Sequence, residues 1–248
     1  MSIVVKVLYL LLSTLIAYFI KGITGFGNTL VMGLLFSFII PNRLITPVDL
    51  LISIPTNAYL VWRERRSISL KVVIPLSLVM LIGTIPGTIL LKSGNDRVLK
   101  SILGIVVVGI AMEMLIKKPI CSRTKKGNRV FLIIIGVVSG ILTGLYGIGA
   151  LLIAYINRTT ENRNQFRGNI CCVFMVDNIF RLFLYLYKGI LNKEVVIITL
   201  FLLPAVILGM ILGIKIDAKM KEITVRRIAI VFLAISGTVL FLRNIFVY

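Results

Sequence analysis

Residues 3–40 read IVVKVLYLLLSTLIAYFIKGITGFGNTLVMGLLFSFII, with Lys6 and Lys21 as the only ionised side chains. The first part, residues 3–20, is apolar over the length that a helix needs to cross a bilayer core. Three glycines then fall within GITGFG at 22–27, and a shorter apolar run, 28–40, continues behind them. The stretch predicts a membrane-spanning helix, a glycine-rich break and a short helix.

The rest of the chain has the same apolar character. Of its 248 residues 58% are hydrophobic and 15% are charged, and the mean hydropathy is +1.05, which a soluble domain of this size could not bury. We therefore predict an all-α fold, a polytopic transmembrane helix bundle. The long apolar runs are 3–20, 46–62, 70–91, 98–116, 130–145, 168–187, 195–216 and 225–247, and the short ones are 28–40 and 150–156.

The ionisable residues exclude several classes of protein. The chain carries 28 lysines and arginines against 9 acidic residues. These cations stand in short gaps between apolar runs and form no continuous basic face, so we predict a lipid bilayer and no nucleic acid as partner. Histidine and a CxxC spacing are both absent from the sequence. We therefore predict no metal site, no cofactor and no enzymatic activity.

The order of long and short runs repeats on the two sides of a basic loop. GITGFG at 22–27 recurs as GLYGIG at 144–149, and Asn57 has its counterpart in Asn178. Weaker matches follow in the same order, ISLKVV at 68–73 with LNKEVV at 191–196, and GTIPG at 83–87 with GMILG at 209–213. We predict two repeats, each with four long helices and one short helix after its break. Their bounds are 1–117 for the first transmembrane repeat, 118–129 for a basic cytoplasmic linker and 130–248 for the second transmembrane repeat.

The distribution of cations predicts how the repeats are oriented. If each repeat crosses the membrane an odd number of times, the repeats are inverted, and more than twice as many lysines and arginines lie on the cytoplasmic side as outside. If each repeat crosses four times, the two sides carry nearly equal numbers. Because cytoplasmic loops are enriched in lysine and arginine, the inverted arrangement is favoured, with both termini outside.

The two glycine breaks are the first candidates for function. Irregular backbone at membrane depth is tolerated only where it is buried in protein or lines a water-filled cavity. A helix that restarts there points free N–H groups and its positive dipole end into the break, which favours an anion. Breaks from two inverted halves are expected to face each other and form one site. The candidate substrate-binding residues are Gly22, Thr24, Gly25, Phe26, Gly27 and Asn28 in the first break, and Gly144, Tyr146, Gly147, Ile148 and Gly149 in the second.

Glycines in membrane helices also serve as close contacts between helices, and this alternative stays open for both breaks. For GTIPG at 83–87 and GMILG at 209–213 it is the favoured interpretation, because no break follows in either run. A nucleotide-binding loop is excluded, since no strand precedes either glycine cluster.

Polar residues inside the apolar runs complete the candidate site. Asp177 and Arg181 are four residues apart on one predicted helix, so they either neutralise each other or leave Arg181 to attract anions. Asn57 and Asn178 either bind the anion through uncharged donors or join helices. If the anion crosses the membrane together with protons, Asp49 and Asp177 are the acids placed to carry them. Asp49 also fits a helix cap.

GITGFGNTLVMGLL at 22–35 and SGILTGLYGIGALLIAY at 139–155 resemble the duplicated motif of the TauE/SafE sulfite exporter family, and the resemblance covers nearly the whole chain. The family pattern often has a third glycine in the second cluster and a proline shortly after each cluster. Here Ala150 stands at that glycine position, and Ile153 and Ala154 stand where the proline is expected. The resemblance implies transport of small sulfur-containing or carboxylate anions, such as sulfite, sulfoacetate or related organosulfonates.

We therefore expect a multi-pass protein of the cytoplasmic membrane, a secondary transporter that exports a small anion by alternating access. The sequence holds no ATP-binding motif, so an anion gradient, the membrane potential or a coupled ion must supply the energy. The alternative is a non-transporting membrane scaffold or assembly factor whose glycines only tighten packing. The expected partners are the small anion and the lipid bilayer, and a homodimer is left open.

Overall fold

A computed structural model describes residues 3–93, 129–149, 152–153, 155–156, 160 and 163–217. Every regular element among these residues is helical, which confirms the predicted all-α class for this part of the chain. The elements are α1 (Ile3–Thr24), α2 (Asn28–Ser37), α3 (Asn42–Glu64), a 3-10 turn (Arg65–Ser67), α4 (Leu70–Ser93), α5 (Arg129–Tyr146), α6 (Arg163–Tyr187) and α7 (Lys193–Asp217).

Five of these helices, α1, α3, α4, α6 and α7, are long and apolar enough to cross a membrane. The other two, α2 and α5, are apolar over a shorter length. Each of the seven coincides with an apolar run of the sequence. The predicted runs 98–116 and 225–247 and linker residues 118–128 lie outside the described residues. Of the second short run, 150–156, residues 152–153 and 155–156 are described and are helical.

The exposed surface of α4 is the kind that lipid covers. Leu70, Ile74, Leu78 and Ile82 are each more than half exposed. Residues four apart share one face of a helix, so these side chains form a continuous apolar stripe. Stable soluble proteins rarely expose such a stripe to water, whereas a bilayer solvates it.

The described helices fall into two compact units. The first unit contains α1, α2, the beginning of α3 up to Asp49, and α7. The second contains the rest of α3 from Leu50, the 3-10 turn, α4, α5 and α6. Each unit therefore draws helices from both sides of the basic linker. The predicted repeats divide the sequence at that linker, which is a different division from the two units. The repeats stay a prediction.

In the first unit, α1 and α7 pack in parallel through glycine. A methyl group on Gly22 would lie 2.9 Å from the Gly213 Cα, and one on Gly209 would lie 2.5 Å from the Leu15 carbonyl oxygen. Because Leu15 precedes Gly22 in α1 as Gly209 precedes Gly213 in α7, the two helices run in the same direction. Only glycine lets two helix backbones approach this closely.

The short helix α2 folds back along α1. The Tyr9 hydroxyl donates a hydrogen bond to the Leu35 carbonyl at 3.0 Å. At the other end of the pair, the Asn28 side-chain amide donates to the Tyr18 hydroxyl at 3.3 Å. The two helices are therefore antiparallel, and α2 runs beside about 13 Å of α1, at about 1.5 Å per residue.

The second unit repeats the glycine contact between α4 and α5. A methyl group on Gly140 would lie 2.9 Å from the Gly83 Cα, and one on Gly144 would lie 2.9 Å from the Gly87 Cα. These helices are parallel as well. The packing role predicted for GTIPG and GMILG is confirmed, and Gly22 and Gly144, the first glycines of the two breaks, share it.

Helix α6 runs beside α4 in the same direction. Near the start of both helices the Ser69 backbone N–H donates to the Asn169 side-chain oxygen at 2.7 Å. At their ends the Lys92 ammonium donates to the Lys188 carbonyl at 2.8 Å. Since α4, α5 and α6 are all parallel, the end of α5 and the start of α6 lie at opposite ends of this unit.

These directions bear on the orientation in the membrane. Four crossings per repeat would place Lys92 outside and Lys188 inside, although a hydrogen bond joins them. An odd number of crossings per repeat places both residues outside, and their contact requires that they lie on the same side. The inverted arrangement of the whole chain stays a prediction, and the contact between Lys92 and Lys188 is consistent with it.

Single cysteines at Arg66, Lys92 and Lys188 test this orientation in intact cells, after Cys121, Cys171 and Cys172 are replaced with alanine. We expect an impermeant maleimide added outside to label the cysteines at 92 and 188, and the one at 66 only after permeabilisation. Labelling of 92 and 188 from opposite sides would contradict the parallel arrangement of α4 and α6.

The glycine contact between α1 and α7 predicts a sharp difference between two faces of α7. Gly213→Leu should lower the thermal stability of the detergent-solubilised protein by the equivalent of about 1–3 kcal/mol, because the new side chain overpacks against α1. Ile211→Leu, on the exposed face of the same helix, is the control and should leave the midpoint unchanged. Equal midpoints for the two variants would argue against close packing at Gly213.

Candidate functional site

The first glycine break separates α1 from α2 at residues 25–27. Gly25 and Gly27 have φ angles of 84° and 90°, a left-handed conformation that other residues rarely adopt. The Gly25 N–H donates to the Lys21 carbonyl at 2.7 Å, which closes the last turn of α1. The Val31 N–H donates to the Gly27 carbonyl at 3.2 Å, which begins α2. The break is thus a compact reversal between two helices.

The second break, after α5, has the same main bonds. Gly147 has a φ of 72°, and its N–H donates to the Thr143 carbonyl at 2.7 Å. The Ile153 N–H donates to the Gly149 carbonyl at 3.0 Å. Gly149 differs from its counterpart Gly27, since its φ is not in the left-handed region, and a methyl group there would overlap the Phe174 ring of α6.

In both breaks a threonine hydroxyl lies near the backbone carbonyl of the residue between the last two glycines. The Thr24 hydroxyl lies 2.6 Å from the Phe26 carbonyl oxygen, and the Thr143 hydroxyl lies 3.3 Å from the Ile148 carbonyl oxygen. Phe26 and Ile148 hold the same place between the last two glycines of their clusters. The Thr143 hydroxyl has one proton to donate and lies closer to the Ser139 carbonyl oxygen, at 2.7 Å, so only Thr24 makes a short hydrogen bond to this backbone group. Thr24 therefore stabilises the first break from within.

A buried polar cluster lies beside the first break, around Asp49 of α3. Its carboxylate is 2% exposed. One oxygen accepts hydrogen bonds from the Asn28 amide at 2.7 Å and the Tyr18 hydroxyl at 3.2 Å. The other accepts a short hydrogen bond from the Thr29 hydroxyl. Asn28 and Thr29 are the first two residues of α2, so the carboxylate is held where α2 begins.

Lys21 brings a positive charge to the same region. It is 2% exposed, and its ammonium lies 5.5 Å from the centroid of the Tyr18 ring, a cation–π distance. Lys21 follows directly after the apolar run 3–20, and the structure buries it inside α1. An ionisable group inside a membrane helix is a functional candidate by default.

The second buried cluster is an ion pair on α6. The Arg181 Nε donates to one oxygen of Asp177 at 2.8 Å, and both side chains are buried. The Thr84 hydroxyl of α4 donates to the other oxygen of Asp177 at 2.7 Å. Of the two interpretations left open by the sequence, mutual neutralisation is the one that these contacts support.

Arg181 also holds the end of α5 in place. One guanidinium nitrogen donates to the Thr143 carbonyl at 3.0 Å, and the other donates to the Asn178 side-chain oxygen at 2.6 Å. The Tyr185 hydroxyl donates to the Gly144 carbonyl at 3.4 Å. A cation at the C-terminal carbonyls of a helix offsets the negative end of its dipole. These α6 side chains therefore fix the backbone that leads into the second break.

Asn57 and Asn178 have different surroundings despite their equivalent places in the predicted repeats. Asn178 accepts a hydrogen bond from Arg181. The Asn57 side-chain oxygen is buried and has no hydrogen-bond partner within the described ranges. A buried polar atom without a partner is costly, so Asn57 keeps its candidacy for binding better than Asn178 does.

Several residues of the two clusters were not predicted from sequence. They are Tyr18, Lys21, Thr29, Thr84, Thr143 and Tyr185. Lys21 carried a usable signal, as a charge at the end of an apolar run. The others are ordinary helix residues whose partners lie on distant segments, which no local pattern reveals. Of the remaining predicted residues, Phe26, Tyr146 and Ile148 are buried, and Ala150, of the resemblance, lies outside the described residues.

The α6 ion pair makes a prediction about stability. Arg181→Gln leaves a buried carboxylate without its cation and should destabilise the protein by about 3–5 kcal/mol. The double variant Asp177→Asn with Arg181→Gln should recover much of that loss, because no buried charge remains. Thermal unfolding of the purified variants measures both. A double variant that is less stable than the single one would show that the pair contributes more than neutralisation.

Comparison with known proteins agrees with this picture. Residues 10–240 match the family described as Sulfite exporter TauE/SafE. No curated protein and no solved structure matches the chain. The family match covers most of the chain, including both glycine breaks and both buried clusters, and with several apolar helices it makes this a multi-pass membrane protein. The chain belongs to the sulfite exporter TauE/SafE family.

Proposed function

We propose that the protein is a secondary transporter that exports a small anion, such as sulfite or an organosulfonate, across the cytoplasmic membrane by alternating access. The observation that carries the proposal is the pair of glycine breaks, which interrupt membrane helices with the same backbone hydrogen bonds in a sulfite exporter family member. Broken helices are how many secondary transporters build an anion site at membrane depth.

The first break offers the chemistry that an oxyanion needs. Gly27 gives α2 no side-chain cap, so the positive end of the helix dipole is directed at the break. Asn28 supplies an amide donor, and the buried Lys21 supplies a positive charge nearby. Gly25 and Gly27 leave the backbone uncovered by side chains. Together these groups favour a small, negatively charged substrate.

The second break contributes differently. Gly147 again leaves backbone without a side chain, whereas Gly149 packs against the Phe174 ring. Tyr146 and Asn57 are the donors proposed to bind the anion there. Arg181 and Asn178 belong to the site as positioning residues, because their hydrogen bonds hold each other and the end of α5.

The left-handed glycines also provide the places where α1 and α2 can change direction. Gly22 and Gly144 are fixed by close contacts with α7 and α4, so the helix before each break is anchored. Motion is then expected to concentrate after these anchors, at Gly25, Gly27 and Gly147. Alternating access requires such a division between anchored and moving elements.

Outward movement of an anion needs no ATP. An inside-negative potential favours export by about 2.3 kcal/mol per charge and 100 mV. Coupling to protons through Asp49 or Asp177 stays a prediction. Asp177 is already neutralised by Arg181, which leaves Asp49 as the more available of the two.

A scaffold without transport activity is the second candidate, and the close glycine contacts are the observation that favours it. It predicts that glycine substitutions act only through stability. The transport proposal predicts that substitutions in a break remove flux from a protein that still folds.

Purified protein in liposomes distinguishes the two candidates. We expect flux of at least one anion among sulfite, methanesulfonate, sulfoacetate, acetate and nitrate. Gly25→Val should reduce this flux by about tenfold or more, since a side chain at positive φ costs about 1–2 kcal/mol at the site itself. Gly189→Val is the matched control, because Gly189 has a φ of 64° and open space around it. Flux of none of these anions through wild-type protein would reject transport of this class and favour the scaffold. Equal losses in both variants would show that Gly25→Val acts through general backbone strain and not through the break.

A further inference from the structure

The cluster at the start of α2 already binds an oxyanion, namely the carboxylate of Asp49. Both of its oxygens are occupied by hydrogen-bond donors, Tyr18 and Asn28 on one and Thr29 on the other. The donors come from α1 and α2, and the carboxylate comes from α3. The same side chains therefore present donors arranged around the two oxygens of an oxyanion.

The charge balance of this cluster is unlike that of Asp177. The cation Arg181 pairs with Asp177 at 2.8 Å, whereas the three donors to Asp49 are all uncharged. Hydrogen bonds from neutral donors hold a carboxylate less strongly than an ion pair with the same geometry does. The donors around Asp49 are consequently the more easily exchanged of the two sets.

Lys21 of α1 places a positive charge beside the cluster. Tyr18 is both a donor to Asp49 and the ring against which the Lys21 ammonium lies, at 5.5 Å from the centroid. Helix α2 carries no ionisable side chain. Lys21 therefore adds positive charge beside donors that themselves carry none, which lowers the cost of bringing a second anion to them.

We propose that Tyr18, Asn28 and Thr29 form an oxyanion-binding site, and that Asp49 occupies it as a tethered carboxylate until the transported anion displaces it. The inference rests on the proposed anion transport and names the residues and the competitor at its first break. No covalent step is involved. Hydrogen bonds to Asp49 are exchanged for hydrogen bonds to a sulfite or sulfonate oxygen.

The competition predicts effects of opposite sign. Asp49→Asn removes the competing charge and should strengthen binding by about tenfold, because apparent affinity scales with the fraction of molecules whose donors are vacant. Thr29→Val and Tyr18→Phe each remove a donor to a charged group and should weaken binding by about tenfold. A purely structural role for the cluster would weaken binding in all three variants.

The measurement is isothermal titration of detergent-purified protein with sulfite and, separately, with methanesulfonate. Glu194→Gln, which removes an exposed acid of α7, is the control for net charge and should bind as the wild type does. If Asp49→Asn does not fold, Asp49→Ala and the two donor variants give the same comparison. Stronger binding by the Asp49 variant with weaker binding by the donor variants supports the site.

The outcomes separate this inference from the proposed function. Weaker or unchanged binding in Asp49→Asn, with wild-type protein that binds sulfite, overturns the tethered competitor and leaves anion transport standing. Binding by Asp49→Asn but not by the wild type supports Asp49 as the competitor of the anion. Absence of binding of both anions by the wild type and by every variant overturns the site and counts against transport of this anion class.

Discussion

In lipid, every backbone polar group has to find its partner within the protein, and this constraint determines how the two breaks are built. Each break ends a helix with a glycine N–H that reaches back four residues, and each begins the next helix on the carbonyl of its last glycine. In the first break the carbonyl between those glycines accepts the Thr24 hydroxyl. A loop that satisfied its backbone with water could take many shapes. Here the requirement is met by the same pair of backbone hydrogen bonds in both breaks.

The sequence was a good guide to the helices and a weaker guide to their partners. Apolar run length predicts α1, α3, α4, α6 and α7, because hydrocarbon thickness sets a minimum length that few other structures need. The pairing of Asp177 with Arg181 follows from their spacing on one helix. The contacts of Asp49 with Tyr18 and Asn28 join segments 31 and 21 residues apart. Such contacts depend on how helices pack, which composition and periodicity do not determine.

Asn57 and Asn178 also differ because of how their helices pack. Equivalent positions in the predicted repeats suggested equivalent roles. Arg181, however, follows Asn178 by one helical turn, while Leu60 stands at the corresponding place after Asn57. One asparagine is therefore held by a guanidinium and the other is not. The two breaks keep a common backbone and differ in charge, since one adjoins a neutralised ion pair and the other adjoins a carboxylate held by neutral donors.

The parallel contact between α1 and α7 has a consequence for how the protein is made. Gly22 meets Gly213 only after nearly all of the intervening chain has been synthesised. The described helices of the second unit all lie within residues 50–191, so its contacts can form while α7 is still being translated. Contacts of such large sequence separation form late and slowly. Until then we expect lipid to cover the glycine face of α1. The first unit is therefore expected to be the last part of the described chain to complete its packing.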